Sequence, residues 1–268
     1  AALSVTPPYH TPKVLSINSH MADKRYTTEF FLTAAEVNSQ REMPLSRLVT
    51  TIIDTATAHA NRLGIGFDRM ISEGISWVLS RLTIDIAESP SVNRTYRMTT
   101  WIENVNRLFS DRNFEMTDAE TGRIVIRAHS TWMAVNMSTR RPGDLTPIWK
   151  GFDMVDGAPS GIDNGGKLLP LSGSDFEMSY RFAVSDIDVN RHVTTRRYID
   201  LITDLWPLET YDSMRISRFE VAFKHEARYG ETATASRMAH AESPETATAQ
   251  IAVADTPCCI ARLHFSER

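Results

Sequence analysis

Two apolar stripes at helical spacing organise the chain. After Pro44, residues Leu45, Leu48, Val49, Ile52, Ile53, Ala56, Ala60 and Leu63 recur on one helix face, which Gly64 and Gly66 bring to an end. The second stripe, Tyr198, Leu201, Ile202, Leu205 and Trp206, repeats at i, i+3, i+4, i+7 and i+8, with Thr194 or Thr195 where a cap belongs. An extended segment precedes each stripe, at residues 26–34 and 176–184. Strand candidates follow each: 76–86, 95–103, 108–116 and 122–136 after the first, then 216–226, 231–239, 246–254 and 258–265 after the second. Between the two sets, residues 138–175 hold seven of the chain's 12 glycines with Pro142, Pro147, Pro159 and Pro170, a density that marks a connection. Trp149 and Phe152 predict that part of this connection packs onto a domain. Residues 1–25, with Pro7, Pro8 and Pro12 and no periodicity, read as a tail. The pattern alone is α+β, with strand, helix, strands occurring twice. It divides the chain into a tail (1–25), a first unit (26–137), a linker (138–175) and a second unit (176–268).

Candidate chemistry concentrates just ahead of the second stripe. Asp186, Asp188, Asn190 and His192 alternate there, and a period of two puts such side chains on one face of an extended segment. An acid, an amide and an imidazole then arrive together at a helix N-terminus, where unpaired backbone N–H groups favour a developing oxyanion. The same spacing also makes turns and caps, because short polar side chains bond nearby backbone. The corresponding positions of the first half, Glu36 and Asn38, are followed by no His, so that half is expected to do no chemistry. No Gly-x-Ser-x-Gly elbow and no His-Glu-x-x-His occurs, so neither the usual serine hydrolase nor a zinc hydrolase is indicated, and no metal or cofactor is expected. Gly64-Ile65-Gly66 is no nucleotide loop: Arg69 stands where a third glycine is needed, and the segment follows a helix.

Composition narrows the classes further. At 42% hydrophobic and 23% charged over 268 residues, the chain has the make-up of a soluble globular protein. A net charge of −4 gives no support for nucleic-acid binding, and no apolar run is long enough to span a bilayer. The two cysteines are adjacent, Cys258 and Cys259. They form no disulfide framework and fit small buried strand residues in a reducing compartment.

Residues 188–198 resemble the Asp-x-Asn-x-His-Val-Asn-Asn-x-x-Tyr signature of the acyl-acyl-carrier-protein thioesterases of plants and bacteria, with Thr194 and Thr195 in place of the Asn pair. Phe223-Lys224-His225-Glu226-Ala227 resembles the family's aromatic-basic-basic-Glu-Cys segment, at the family's separation from His192. Residues 77–82, Thr131-Trp132 and Thr139-Arg140-Arg141-Pro142 resemble its first-half motifs, so the likeness runs from about Tyr26 to the C-terminus.

The resemblance implies a tandem hotdog fold, two curved antiparallel sheets each wrapped on a long central helix. It also implies hydrolysis of fatty acyl-carrier-protein thioesters to free fatty acid and carrier, with the acyl chain in the first unit and the chemistry in the second. Ala227 matches the family Cys, so water is expected as the nucleophile. Glu226 would then polarise or deprotonate it, His192 shuttle a proton, and Asn190 hold the reacting group. Asp188 would orient Asn190 and His192, and the backbone amide near Val193 would serve the oxyanion. The implied partner is an acidic acyl carrier protein, which Arg191, Arg196, Arg197, Arg215 and Arg218 would face. A bacterial cytoplasmic location is expected ahead of a plastid one, with a homodimer as the possible assembly. An acyl-CoA thioesterase on the same fold and a non-catalytic acyl-binding protein are the alternative readings.

Overall fold

Alternation along the strands and the two helical stripes between them build one sheet with its helices on one side. The computed structural model describes residues 24–149 and 153–268; the expected tail up to residue 23, and Phe152, lie outside them. In chain order the elements are β1 (Arg25–Phe31), α1 (Leu45–Arg62), α2 (Phe67–Ser72), β2 (Ile75–Ile86), β3 (Thr95–Val105), β4 (Phe109–Asp118), β5 (Ile124–Asn136) and α3 (Thr146–Trp149). They continue with β6 (Phe176–Arg181), α4 (Thr195–Thr203), α5 (Leu208–Ser213), β7 (Met214–Phe223), β8 (Thr232–His240), β9 (Ser243–Val253) and β10 (Thr256–Glu267). The strands form a ten-stranded antiparallel sheet in the order β1-β3-β4-β5-β2-β7-β10-β9-β8-β6. Read from the middle outward, the order is the same in both halves, and each half wraps its own helix. This is a double hotdog, joined edge to edge where β2 pairs with β7, from Arg81 opposite Ala222 to Asp85 opposite Arg218.

The helix stripes explain the core. Leu48, Val49 and Ile52 of α1 and Ile199, Leu201 and Ile202 of α4 are buried in one cluster with Ile84 of β2 and Phe219 of β7, so the two halves share a core. Pro44 stands before the first turn of α1, and Gly64, at φ 73°, provides the left-handed exit that other residues rarely adopt. Thr194 caps α4 by accepting the Arg197 amide. Three short helices, α2, α3 and α5, are absent from the sequence reading. At six, four and six residues they are too short to carry a stripe. β1 starts at Arg25, inside the expected tail, because Arg25 pairs with Trp101 of β3.

The entry to α4 is held by Asp186, whose side chain is fully buried. It accepts hydrogen bonds from the Ala183 amide, the Tyr180 hydroxyl and Arg197 Nε. Burial alone would raise its pKa. The Ala183 amide, Arg197 and Tyr180 outweigh that and hold it below the usual carboxylate range.

The connection between the halves crosses the sheet face opposite the helices. Trp101 Nε1 and Asn113 Nδ2 both donate to the Ala158 carbonyl. Leu168 packs against Ala222 and Ile260. Glu220, 4% exposed, gathers Arg218 and Arg262, and Arg218 also donates to the Asp163 carbonyl. Gly165, at φ 65°, passes so close that a Cβ there would lie 2.5 Å from Glu220 Oε2.

Two tests follow from these anchors. Glu220→Gln leaves Arg262 without its carboxylate and Arg218 with Asp85 alone, and should cost about 2–3 kcal/mol; limited proteolysis should then cut faster within residues 153–168. Asp186→Asn should destabilise the protein by about 2 kcal/mol at neutral pH. Because the folded pKa of Asp186 lies below the unfolded value of about 4, its contribution is complete above that value and is lost as pH falls through the folded pKa. The gap between wild-type and variant melting temperatures should therefore close in acid.

Candidate active site

Residues 188–192 form a tight turn, not the extended segment that alternation predicts. The Asp188 amide donates to the His192 carbonyl, and Asp188 Oδ1 accepts the amides of Asn190 and His192 at 2.8 and 3.0 Å. Arg191 takes a left-handed φ of 64° to close the turn. The local reason is the one that competes with a strand in the sequence: a short carboxylate that can bond the amides two and four residues on. Asp186, Asp188, Asn190 and His192 therefore do not share a face. Asp186 points into the core, and Asp188 orients Asn190 and His192 through their backbone.

The turn is stitched to the segment that follows β7. His192 bridges Arg228 in antiparallel fashion, the Val193 amide donates to the Ala227 carbonyl at 2.9 Å, and the Ala227 amide donates to Tyr198 Oη at 2.9 Å. This staple brings His192 Nε2 to 3.1 Å from Glu226 Oε1, with the two side chains 21% and 33% exposed. It also overturns the expected oxyanion donor, since the Val193 amide is already bonded to Ala227. The next amides in the first turn of α4, at Thr195 and Arg196, have no intrahelical acceptor, as helix starts require.

Successive residues of the 226–228 segment alternate in direction. Ala227 is 0% exposed and belongs to the hydrophobic core, while Glu226 faces out. The position that matches the family Cys thus points away from His192. Cys258 and Cys259 are buried in β10, and burial raises both thiols. Cys258 is nearer the site than its place in the sequence suggests. It lies beside Tyr198, and its carbonyl accepts the Lys224 and His225 amides.

Arg140 is a site residue that sequence reasoning did not single out. It sits in the turn after β5 at φ 58° and donates to Glu226 Oε1, so the first half reaches into the site of the second. The only sequence signal was its place in a first-half motif. Arg228 stands 3.8 Å from the same carboxylate oxygen. Three of the five arginines expected to face a partner are otherwise engaged: Arg197 by Asp186, Arg218 by Asp85 and Glu220, and Arg215 by the carbonyls of Ile86 and Ala87. Arg191 and Arg196 stay exposed beside the turn.

Two cavities meet at Asn190. One, of about 640 Å³, runs between α1 and the sheet past Ile53, Ala56, Ala60, Met70 and Trp132 and reaches Asp188, Asn190, Thr195 and Arg196. The other, of about 730 Å³, is lined by Val184, Ile187, Asn190, Arg191, His192, Arg228 and Tyr229 and lies on the outer side. Among the described residues the Asn190 side chain bonds neither His192 nor Glu226. On α1 the cavity is lined by Thr50, Ile53, Asp54, Ala56, Thr57 and Ala60, so it shares Ile53, Ala56 and Ala60 with the apolar stripe but not Leu48, Val49 or Ile52.

The first half repeats the turn without the chemistry. Asn38 Oδ1 accepts the Gln40 and Glu42 amides, Arg41 has the same φ of 64°, and the Met43 amide donates to the Pro90 carbonyl. Glu42 occupies the place of His192 and pairs with Arg268. No group of side chains suited to a metal ion occurs among the described residues, and no helix there is long and apolar enough to cross a membrane.

Residues 23–148 match the acyl-ACP thioesterase N-terminal domain family, and residues 172–265 match the corresponding C-terminal domain family. A chloroplastic acyl-[acyl-carrier-protein] hydrolase from Cuphea viscosissima is 26% identical over 216 residues, covering 76% of this chain and 52% of that one. A chloroplastic palmitoyl-acyl carrier protein thioesterase from Gossypium hirsutum is 25% identical over 218 residues, covering 75% and 52%. The chain spans about half the length of the curated relatives it matches. Among solved structures, an acyl-ACP thioesterase from Bacteroides thetaiotaomicron superposes with a TM-score of 0.81 at 29% identity, covering 91% of this chain and 98% of that one. The 12:0-ACP thioesterase from Umbellularia californica has a TM-score of 0.84 at 20% identity, covering 92% and 96%, and at that identity speaks for the fold alone. With both domain families matched in order on a double hotdog, the chain belongs to the acyl-ACP thioesterase family.

Proposed function

We propose that the protein hydrolyses fatty acyl-acyl-carrier-protein to free fatty acid and carrier. The observation that carries this reading is the His192–Glu226 pair, 3.1 Å apart, with His192 lining an outer groove that meets an acyl-sized cavity at Asn190. The thioester carbonyl lies at Asn190, its hydrocarbon in the inner cavity and its pantetheine arm in the groove. Water attacks the carbonyl carbon while Glu226 takes its proton. The Asn190 side-chain amide and the free amides at the start of α4 receive the oxyanion, with the helix dipole in their favour. As the C–S bond breaks, the proton passes from Glu226 through His192 Nε2 to the departing thiolate, leaving a carboxylic acid and a thiol. Arg140 holds Glu226 in register from the first half.

Charge around the mouth suits an acidic carrier. Arg140, Arg196 and Arg228 have side chains 55%, 66% and 68% exposed, and Arg191 is exposed beside them. Exposed Val184, Val189 and Tyr229 offer apolar contact next to these charges.

The deciding measurement is steady-state turnover of a ladder of acyl-acyl-carrier-protein lengths beside the same acyl-CoA ladder. Faster turnover of CoA esters would redirect the reading to an acyl-CoA thioesterase, and acyl binding without turnover to a binding protein. Glu226→Gln and His192→Ala should each lower kcat by about a hundred- to ten-thousandfold. Because both serve one proton path, the double variant should be little worse than the weaker single; a loss equal to the product of the two would break the pair apart. Cys258→Ala/Cys259→Ala should keep activity within about tenfold, since neither thiol reaches the cavity mouth; a larger drop in a folded protein, more than about 1.4 kcal/mol of barrier, would return a thiol to the mechanism.

A further inference from the structure

The turn that carries Arg140 touches the inner cavity at its other end. Arg140 Nη2 donates to Glu226 Oε1, the oxygen that faces His192 Nε2 at 3.1 Å. Glu226 Oε2 accepts no hydrogen bond among the described residues. Arg228, 3.8 Å from Oε1 and 68% exposed, is too distant and too solvated to fix the carboxylate. Arg140 therefore sets where the base sits relative to the imidazole. The turn itself is closely bonded. Asn136 Oδ1 accepts the Ser138 and Thr139 amides and the Thr139 hydroxyl. The Arg140 amide donates to the Asn136 carbonyl and the Asn136 amide to the Arg141 carbonyl, each at 2.9 Å. A turn so fully bonded shifts as one piece.

Its support is the wall of the cavity. The Met137 amide donates to the Gly74 carbonyl at 2.9 Å, and Asn136 pairs with Ile75, a lining residue. Gly74 follows α2, whose Phe67, Met70 and Ile71 also line the cavity. The lining carboxylates, Asp54 and Asp188, stand on α1 and in the turn before α4, so the α2 side is left to hydrocarbon. α2 has six residues and runs between Gly64 and Gly74, both left-handed, at φ 73° and 69°. Of its residues only Met70 is buried, while Phe67 and Ile71 are 48% and 39% exposed. An acyl chain beside them would favour the placement of α2 that covers it, because apolar surface then leaves water.

We propose that an acyl chain in the inner cavity settles α2 and, through the Gly74–Met137 bond and the turn, fixes Arg140 on Glu226. Arg140 is then a positioning residue by which an occupied first half readies the base of the second. The inference rests on the thioesterase reading for its substrate, but the coupling between cavity and turn can be read without turnover. Such coupling exists only if a ligand at one place changes the other.

The test uses the full chain and two acyl-carrier-protein thioesters: the preferred long-chain acyl group, which occupies the cavity, and acetyl, which leaves it empty. Wild type should show the higher kcat on the long chain. Arg140→Ala should lower the long-chain-to-acetyl ratio of kcat by up to about a hundredfold, the cost of a group misplaced by about 1 Å. Arg140→Lys keeps the charge without the planar fork and should keep part of the ratio. Hydrogen exchange is the second readout. A long-chain free fatty acid should slow exchange in residues 67–72 and in residues 137–141 alike. Gly74→Ala strains the left-handed link and should keep the first protection while losing the second. If either alanine variant fails to fold, Arg140→Lys and wild-type exchange still decide. Four results would overturn the coupling: acetyl turned over as fast as the long chain by wild type, equal penalties on both substrates, a penalty confined to KM, or protection confined to residues 67–72. Hydrolysis of neither substrate, with both segments still protected by the fatty acid, would overturn the thioesterase reading and leave the coupling standing.

Discussion

The pairing of β2 with β7 is the constraint on which the rest of the molecule depends. Each hotdog half has a free edge at its inner strand, and an exposed strand edge is a template for unwanted pairing. Joining the two edges removes both liabilities and makes one ten-stranded sheet. It also sets the register at Arg81–Ala222 and Leu82–Val221, so that β7 and β5 flank β2 and end toward the same edge of the sheet. That neighbourhood lets Arg140, in the turn after β5, reach Glu226, in the turn after β7. The site therefore belongs to the junction, although its His and Glu both come from the second half.

The large elements were legible in the sequence because each repeats a physical pattern many times. The stripe of α1 has eight apolar positions, and its helix spans Leu45–Arg62. The alternating runs gave the strands to within a few residues. What the sequence could not carry is set by single contacts between distant residues. Asp188 looks the same on paper whether it faces substrate or bonds two amides, and only the Val193–Ala227–Tyr198 staple decides. The same staple removes the Val193 amide from the chemistry. Arg140 was quoted within a motif, yet nothing local joins it to a carboxylate in the other half. Residues 138–175 read as a connection from their glycines and prolines, but α3 and the close approach of Gly165 to Glu220 depend on contacts with distant residues.

Repetition also separates scaffold from chemistry. The turns at Asn38–Glu42 and Asp188–His192 share the Asx bonds, the left-handed arginine at φ 64° and the amide that follows the turn and donates to a carbonyl in the loop after β2 or β7. Those features shape the entry to a central helix and need no substrate to explain them. The side chain that closes the turn differs: Glu42 in the first half meets Arg268, and His192 in the second meets Glu226. An imidazole can give and take a proton near neutral pH, and the first half has none at this place.

The direction of the side chain at position 227 bears on the proposed water mechanism more than its identity does. A strand-like segment that turns Glu226 outward must turn its neighbour inward. Ala227 accordingly sits in the shared core, with its amide tied to Tyr198 and its carbonyl to Val193. A thiol built at that Cβ would start among apolar side chains beside Tyr198, in surroundings that raise thiol pKa values, as they do for Cys258. To attack a carbonyl at Asn190 it would have to rotate the segment and break both backbone bonds of the staple that holds His192 near Glu226. Nucleophile and proton path could not then be in place together. Water carries no such conflict, because it needs no side chain at position 227 and leaves the staple in place.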